Sequence, residues 1–178
     1  MDDMSKLLFA AAAVLLIGGV ANTASAQNPK SPHDTVTADV GGHKITVTYG
    51  RPSIRGRKIM GGLVPYGQVW RTGADEATTF ETDANLDING LKVPAGKYSL
   101  FTLPTEGGWT LILNKTAKQW GAFNYKEGND LGRTKMNVTK AGAPVEQFTI
   151  TITPSGSNAA TLKLEWENTV ASVPIKVE

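Results

Sequence analysis

The sequence predicts an all-β fold: a single-domain antiparallel β-sandwich, or a barrel-like sandwich, of roughly 8–10 short strands with one long Arg/Gly-rich loop. Three observations carry this expectation. Apolar and polar residues alternate in segment after segment, turns rich in Gly, Pro and Asn separate those segments, and no stretch past the leader holds a helical apolar stripe. An alternating strand buries one face and wets the other, so such segments must pair edge to edge and stack face to face.

In chain order, residues 1–26 read as a signal peptide outside the fold. Lys6 precedes the apolar run from Leu7 to Ile17, and Ala24-Ser25-Ala26 forms a small-x-small exit. The run is shorter than the about 20 apolar residues of a spanning helix. The expectation is cleavage before Gln27, no membrane span afterwards, and a periplasmic or secreted domain over residues 27–178. A polar lead-in follows, and His33, two residues after Ser31, reads as part of it. His43 to Tyr49 then places Ile45, Val47 and Tyr49 on one face. Thr78 to Thr82 is rich in β-formers. Leu86-Asp87-Ile88 and Leu91-Lys92-Val93 flank Asn89-Gly90, a dipeptide that accepts the positive φ angles of a tight hairpin turn. Tyr98 to Leu103 and Trp109 to Leu113 form another pair, with Pro94 confined to a strand edge or start. Phe148 to Thr153 alternates without interruption, and Leu162 to Trp166 and Val173 to Val177 repeat the pattern. The best helical candidate is Thr116 to Trp120, barely one turn before Gly121. Trp109, Trp120 and Trp166 are expected to pack in the core or at a sheet edge.

Composition narrows the chemistry. Eighteen Lys and Arg against sixteen Asp and Glu leave a net charge of +2, too balanced to argue for nucleic-acid binding. The chain has no cysteine, which excludes disulfides, thiolate zinc sites and a cysteine nucleophile. With two histidines, His33 and His43, histidine-rich metal sites are excluded as well, and no cofactor is expected.

The stretch from Tyr49 to Thr78 departs from the alternating pattern. It holds Arg51, Arg55, Arg57 and Arg71 together with Tyr66, Trp70 and a run of glycines. Loops longer than about 12–15 residues within compact domains are usually functional or disordered, and ordered aromatics and prolines argue against disorder. Guanidinium groups are planar forks of donors that suit carboxylate, phosphate or sulfate, and aromatic faces can stack on a sugar ring. The candidate ligand-binding residues are Arg51, Arg55, Arg57, Tyr66, Trp70, Arg71, Asp75, Glu76 and Arg133. The bland alternative pairs Arg71 with Asp75 or Glu76 and leaves Arg51, Arg55 and Arg57 solvated or paired with Asp130 and Glu127. Asp130 stands in a polar loop with Tyr125, Asn129 and Arg133.

Enzymatic readings have less to stand on. Ser53 and Ser99 have no neighbouring base, and the two histidines read as surface residues without an orienting third group. A carboxylate pair would have to combine Glu76 with Asp130, because adjacent Asp75 and Glu76 would face opposite ways on a strand. Asp83, Asn85, Asp87 and Asn89 alternate as oxygen donors, yet they lack the glycine and terminal glutamate of a calcium loop and read as a hairpin edge.

At these residues the chain resembles the DUF2911 family of exported bacterial proteins. The resemblance rests on Ser31-Pro32, Tyr49-Gly50-Arg51-Pro52-Ser53, Arg55-Gly56-Arg57 and Leu63-Val64-Pro65-Tyr66-Gly67. It continues through Val69-Trp70-Arg71-Thr72-Gly73-Ala74, Glu76-Ala77-Thr78, Pro94 to Phe101, and Trp109 to Asn114. Asp75 and Met60 depart from it, where asparagine and phenylalanine are expected. The resemblance implies a single exported all-β domain and brings no catalytic residues. Three functions follow as expectations. The first is a non-catalytic protein that binds an anionic small molecule, glycan or protein partner through the Arg/Trp loop. The second is a carbohydrate- or ester-hydrolysing enzyme with Glu76 or Asp130 as the acid/base and Arg71 steadying charge. The third is an envelope scaffold without a ligand.

Overall fold

The computed structural model describes residues 31–178, so the leader expected over residues 1–26 lies outside the described residues. Nine strands run in order: β1 (His33–Val40), β2 (His43–Gly50), β3 (Thr78–Thr82), β4 (Leu86–Ile88), β5 (Leu91–Val93), β6 (Gly96–Thr105), β7 (Gly108–Asn114), β8 (Asp130–Pro154) and β9 (Ala159–Val177). All neighbours pair antiparallel, in the spatial order β1-β2-β3-β6-β7-β8-β9-β4-β5, and the sheet does not close. The all-β prediction therefore holds.

Two strands are far longer than the short alternating segments suggest. β8 has 25 residues and β9 has 19. The start of β8 pairs with β7 through Met136, and from Asn137 onward it pairs with β9. Register shifts after Lys140 and Val145 then interrupt its pairing with β9. Leu162–Trp166 and Val173–Val177, separate by pattern, are thus the two ends of β9.

The alternation settles which side chains meet between the halves. Ile45, Val47, Phe80, Leu100, Leu111 and Leu113 come from one half, and Phe148, Ile150, Leu162, Leu164, Trp166 and Ile175 from the other, all at most 2% exposed. On the outer face of β6 and β7, Phe101 and Ile112 are covered by Val69, Ala122 and Tyr125, so this pair of strands is buried on both sides. The Asn89-Gly90 turn forms as expected, with φ +48 and +89. The stretch Thr116–Trp120 is not helical; a 3-10 turn at Glu127–Asn129 is the helical element among the described residues. No helix among these residues is long and apolar enough to cross a membrane.

The alternating oxygen residues have local partners. Asp83 accepts from the Lys44 amide, Asn85 from the Ala95 amide and Asp87 from the Gly90 amide, at 3.0, 3.0 and 2.6 Å. These are turn-fixing bonds of the kind Asx side chains make. The Lys92 ammonium also lies 3.1 Å from Asp87. The Gly90 amide foremost, and then Lys92, hold the Asp87 carboxyl below its ordinary value.

Candidate functional site

The chain from Arg51 to Ala77 enters no sheet strand, yet it is tied down along its length. Ile54 N donates to Glu146 O at 2.8 Å and Phe148 N to Pro52 O at 2.9 Å, which seats the first part against β8. Ile59, Met60 and Val64 turn inward and are at most 7% exposed, so the middle of the loop belongs to the core. Trp70 exchanges both backbone hydrogen bonds with Thr102, at 2.8 and 3.0 Å, continuing the edge of β6 beyond the reach of β3. A loop anchored this way is a fixed wall.

The turn from Arg71 to Glu76 is the crowded point. Thr72 and Asp75 adopt φ +57 and +63, left-handed conformations that are uncommon outside glycine. Thr72 is fully buried; its Oγ1 bonds Trp70 O and Thr102 Oγ1, and its carbonyl accepts from Thr78 Oγ1 at 2.7 Å. These bonds offset the strain of a β-branched residue held there. Beneath the turn lies Gly50, where an added Cβ would stand 2.3 Å from Ala74 O. The left-handed position of Asp75 explains why asparagine is its counterpart in the resemblance, since both tolerate that conformation. Here the carboxylate meets His33 Nε2 at 3.3 Å.

Two cavities flank this turn. The first, about 280 Å³, is lined by Arg55, Arg57, Arg71, Trp70, Asp75 and Trp166, together with Ser31, Pro52, Ser53, Leu63, Val64 and Ala74. Five predicted residues thus converge. None of the three guanidinium groups has an ion-pair partner among the described residues. Arg57 donates to Ile54 O and Ser53 O at 3.0 and 2.7 Å, which fixes its fork and leaves its charge uncompensated. Arg71 Nε is buried without a hydrogen-bond partner. Arg55 anchors through its backbone, which donates to Glu146 Oε1 at 3.0 Å. Trp70 stacks on Trp166 with ring centroids 5.8 Å apart and planes 16° from parallel, and meets Trp109 and Phe148 edge-on. Its ring is a rigid wall of the cavity that also belongs to the core.

The remaining predicted residues lie elsewhere. Arg51 is occupied by the protein itself: it donates to Phe148 O, Thr149 Oγ1 and Asp34 Oδ2 at 3.2, 3.0 and 3.2 Å. Tyr66 does not line the cavity; its ring lies over Gly61, leaving 2.9 Å to the place of an added Cβ. Arg133 binds Asp130, Glu127 and the Tyr125 phenol at 2.9, 3.2 and 2.6 Å. Asp130 also accepts from Tyr125 at 2.7 Å and Asn114 at 2.9 Å. Burial first, then this carboxylate, push the Tyr125 phenol up to about 12. The acids suggested as partners for the loop arginines therefore belong to Arg133, and Arg71 pairs with neither Asp75 nor Glu76.

One residue was misjudged from sequence. His33 is the first residue of β1 and no part of a lead-in, and its Nε2 lies 3.3 Å from Asp75 Oδ2 and 3.8 Å from Glu76 Oε2. Only pairing of β1 with β2, which sets His33 opposite Gly50, brings it there. Trp120 lies outside the core, 53% exposed where its backbone bridges Glu76, and Phe123 nearby is 84% exposed. The second cavity, about 340 Å³, opens on the other side of the turn and is lined by His33, Glu76, Gln119, Lys97 and Lys118 among others. Glu76 faces this cavity, apart from Arg71.

Fold and loop together define an antiparallel β-sandwich-like protein whose longest loop is built into the body and walls a cationic hollow. The profile of the family described as "Protein of unknown function (DUF2911)" matches residues 31–175, most of the chain, and the chain belongs to that family. No curated protein and no solved structure matches it.

Proposed function

We propose that this is an exported, non-catalytic binding protein that takes an anionic small molecule in the arginine-lined cavity. The observation that carries the reading is the uncompensated charge there. Three guanidinium groups face one hollow with no acid paired to them among the described residues, and Arg71 Nε is buried and unpartnered. A buried donor without an acceptor costs free energy that an incoming oxyanion returns. The hollow, about 280 Å³, suits a ligand the size of a monosaccharide bearing a carboxylate, phosphate or sulfate. Export is supported by the leader-like composition of residues 1–26.

The other readings have less support. The hydrolase draws on Glu76 or Asp130 with Arg71, but Asp130 is engaged by Tyr125, Asn114 and Arg133, and Arg71 does not line the cavity that Glu76 faces. The scaffold needs every loop arginine solvated or paired internally, and Arg71, whose Nε is buried without a partner, meets neither condition.

The experiment is calorimetric titration of residues 27–178 with phosphate, sulfate, glucuronate and glucose 6-phosphate, with glucose as the neutral control. At least one anion is expected to bind, glucose is not, and Arg71→Met and Arg55→Ala are each expected to weaken binding by about tenfold or more. Absence of binding by all four anions, or unchanged affinity in both variants, overturns the proposal.

A further inference from the structure

We infer that the second cavity, across the Arg71–Glu76 turn, is a separate binding site for a small zwitterion such as a short peptide. Its floor is the outer face of β2 and β3, where Thr48 and Thr79 stand side by side in register. Its side is the strap from Ala117 to Gln119, held by the Ala77 amide donating to Gln119 O at 2.9 Å.

Gln119 carries the argument. It is 7% exposed, and its Nε2 donates to Ser99 Oγ, Asn114 Oδ1 and Thr116 O at 2.9, 3.1 and 2.9 Å. A flipped amide would set its oxygen against the Asn114 and Thr116 oxygens, so the orientation is settled by its partners. Oε1 is then left as a buried acceptor with no donor. Buried polar atoms of this kind are rare and call for a partner. The nearby Glu76 carboxylate is half exposed, and His33 Nε2, at 3.8 Å, is beyond hydrogen-bond range. Glu76 and the unpartnered Gln119 oxygen thus give the lining acceptors, which call for N–H donors with positive charge.

Lys97 and Lys118 add cations to the same lining. Lys97 lies beside Glu81 in the β3–β6 pairing, at 3.3 Å, with both side chains 54% exposed, which makes the pair weak. Lys118 has no ion pair among the described residues and lines the same cavity. Glu76 and Glu81 are about five residues of extended chain apart, roughly 16 Å, which the reach of the lysine side chain shortens. An ammonium at one end and a carboxylate at the other match a di- or tripeptide. A saccharide fits less well, because the cavity offers no aromatic platform. Its one aromatic residue, Tyr49, turns its ring into the core edge-on to Phe148, and its phenol accepts from the Ile150 amide at 2.9 Å.

The test is calorimetry with trialanine, N-acetyl-trialanine, trialanine amide and maltose, on wild type and on the Glu76→Gln, Lys97→Gln and Arg71→Met variants. Glu76 and Lys97 are exposed, and circular dichroism checks that the variants fold. Trialanine is expected to bind, both blocked peptides to bind at least about tenfold more weakly, and Glu76→Gln and Lys97→Gln to weaken trialanine similarly. Arg71→Met is expected to leave trialanine unaffected, so this site and the anion cavity can fail independently. The inference is overturned if trialanine does not bind by about 10 mM. It is equally overturned if a blocked peptide binds as well as trialanine, if maltose binds in its place, or if Arg71→Met abolishes trialanine binding.

Discussion

Replacing Gly50 by alanine adds one methyl group at the point where the site is pinned to the sandwich. The glycine is not needed for its backbone angles, since Gly50 is absent from the positive-φ positions, so alanine adopts its conformation freely. The obstacle is contact. The new Cβ would stand 2.3 Å from Ala74 O, 2.9 Å from Ala74 C and 3.1 Å from Ala74 N. The first is about 1 Å inside an ordinary carbon–oxygen contact, and all three partners are backbone, which has no rotamer to change. Ala74 cannot retreat alone, because Gly73 beside it is itself closely packed: a Cβ there would stand 2.9 Å from Gly50 O. The whole Arg71–Glu76 turn must lift. Overpacking of this kind costs about 1–3 kcal/mol, and the lifted turn carries Arg71 and Asp75 out of the cavity wall. Urea denaturation followed by tryptophan fluorescence should show that loss, and anion affinity should fall with it. A Gly50→Ala protein with the wild-type midpoint and wild-type anion affinity would refute the reasoning that this contact positions the site.

Two further predictions separate structural from ligand-facing charge. Arg51→Ala removes three hydrogen bonds that join the loop to β8 and β1, and is expected to cost about 2 kcal/mol in denaturant titrations while leaving anion affinity within about twofold of wild type. A tenfold loss of affinity in that variant would move Arg51 into the site. The Tyr125 phenol, pushed up to about 12 from an ordinary 10.0, binds its proton more tightly folded than unfolded. Its contribution is full below pH 10 and is lost as pH rises through about 12, so stability falls across that window. Tyr125→Phe should reduce the alkaline slope in pH-dependent melts without abolishing it, since burial also raises Tyr49 and Tyr98. An unchanged slope contradicts the assignment.

Most of the fold was legible because period-two alternation states directly which face of a strand is buried. The pattern at Phe148–Thr153 reappears as alternating burial along β8, and the Asn89-Gly90 turn forms as its dipeptide requires. The length of β8 and β9 was hidden, because register shifts break one strand into segments that read as several. Within the site, residue type revealed the arginines but could not tell which are paired. Arg51 and Arg71 look alike in sequence, and only the crossing of β1 and β8 gives Arg51 its acceptors, while Arg71 Nε has none among the described residues. His33 and Gln119 escaped notice for the same reason. His33 reaches Asp75 through strand register, and the spare oxygen of Gln119 emerges only after its amide nitrogen has found three acceptors.

The most direct measurement is an anomalous difference map from crystals of residues 27–178 soaked in selenate, a tetrahedral oxyanion with a heavy centre. A peak is predicted in the hollow between Arg55, Arg57 and Arg71, with an oxygen in hydrogen-bond reach of Arg71 Nε. Selenate density confined to other surfaces, with the hollow holding water alone, would contradict the account.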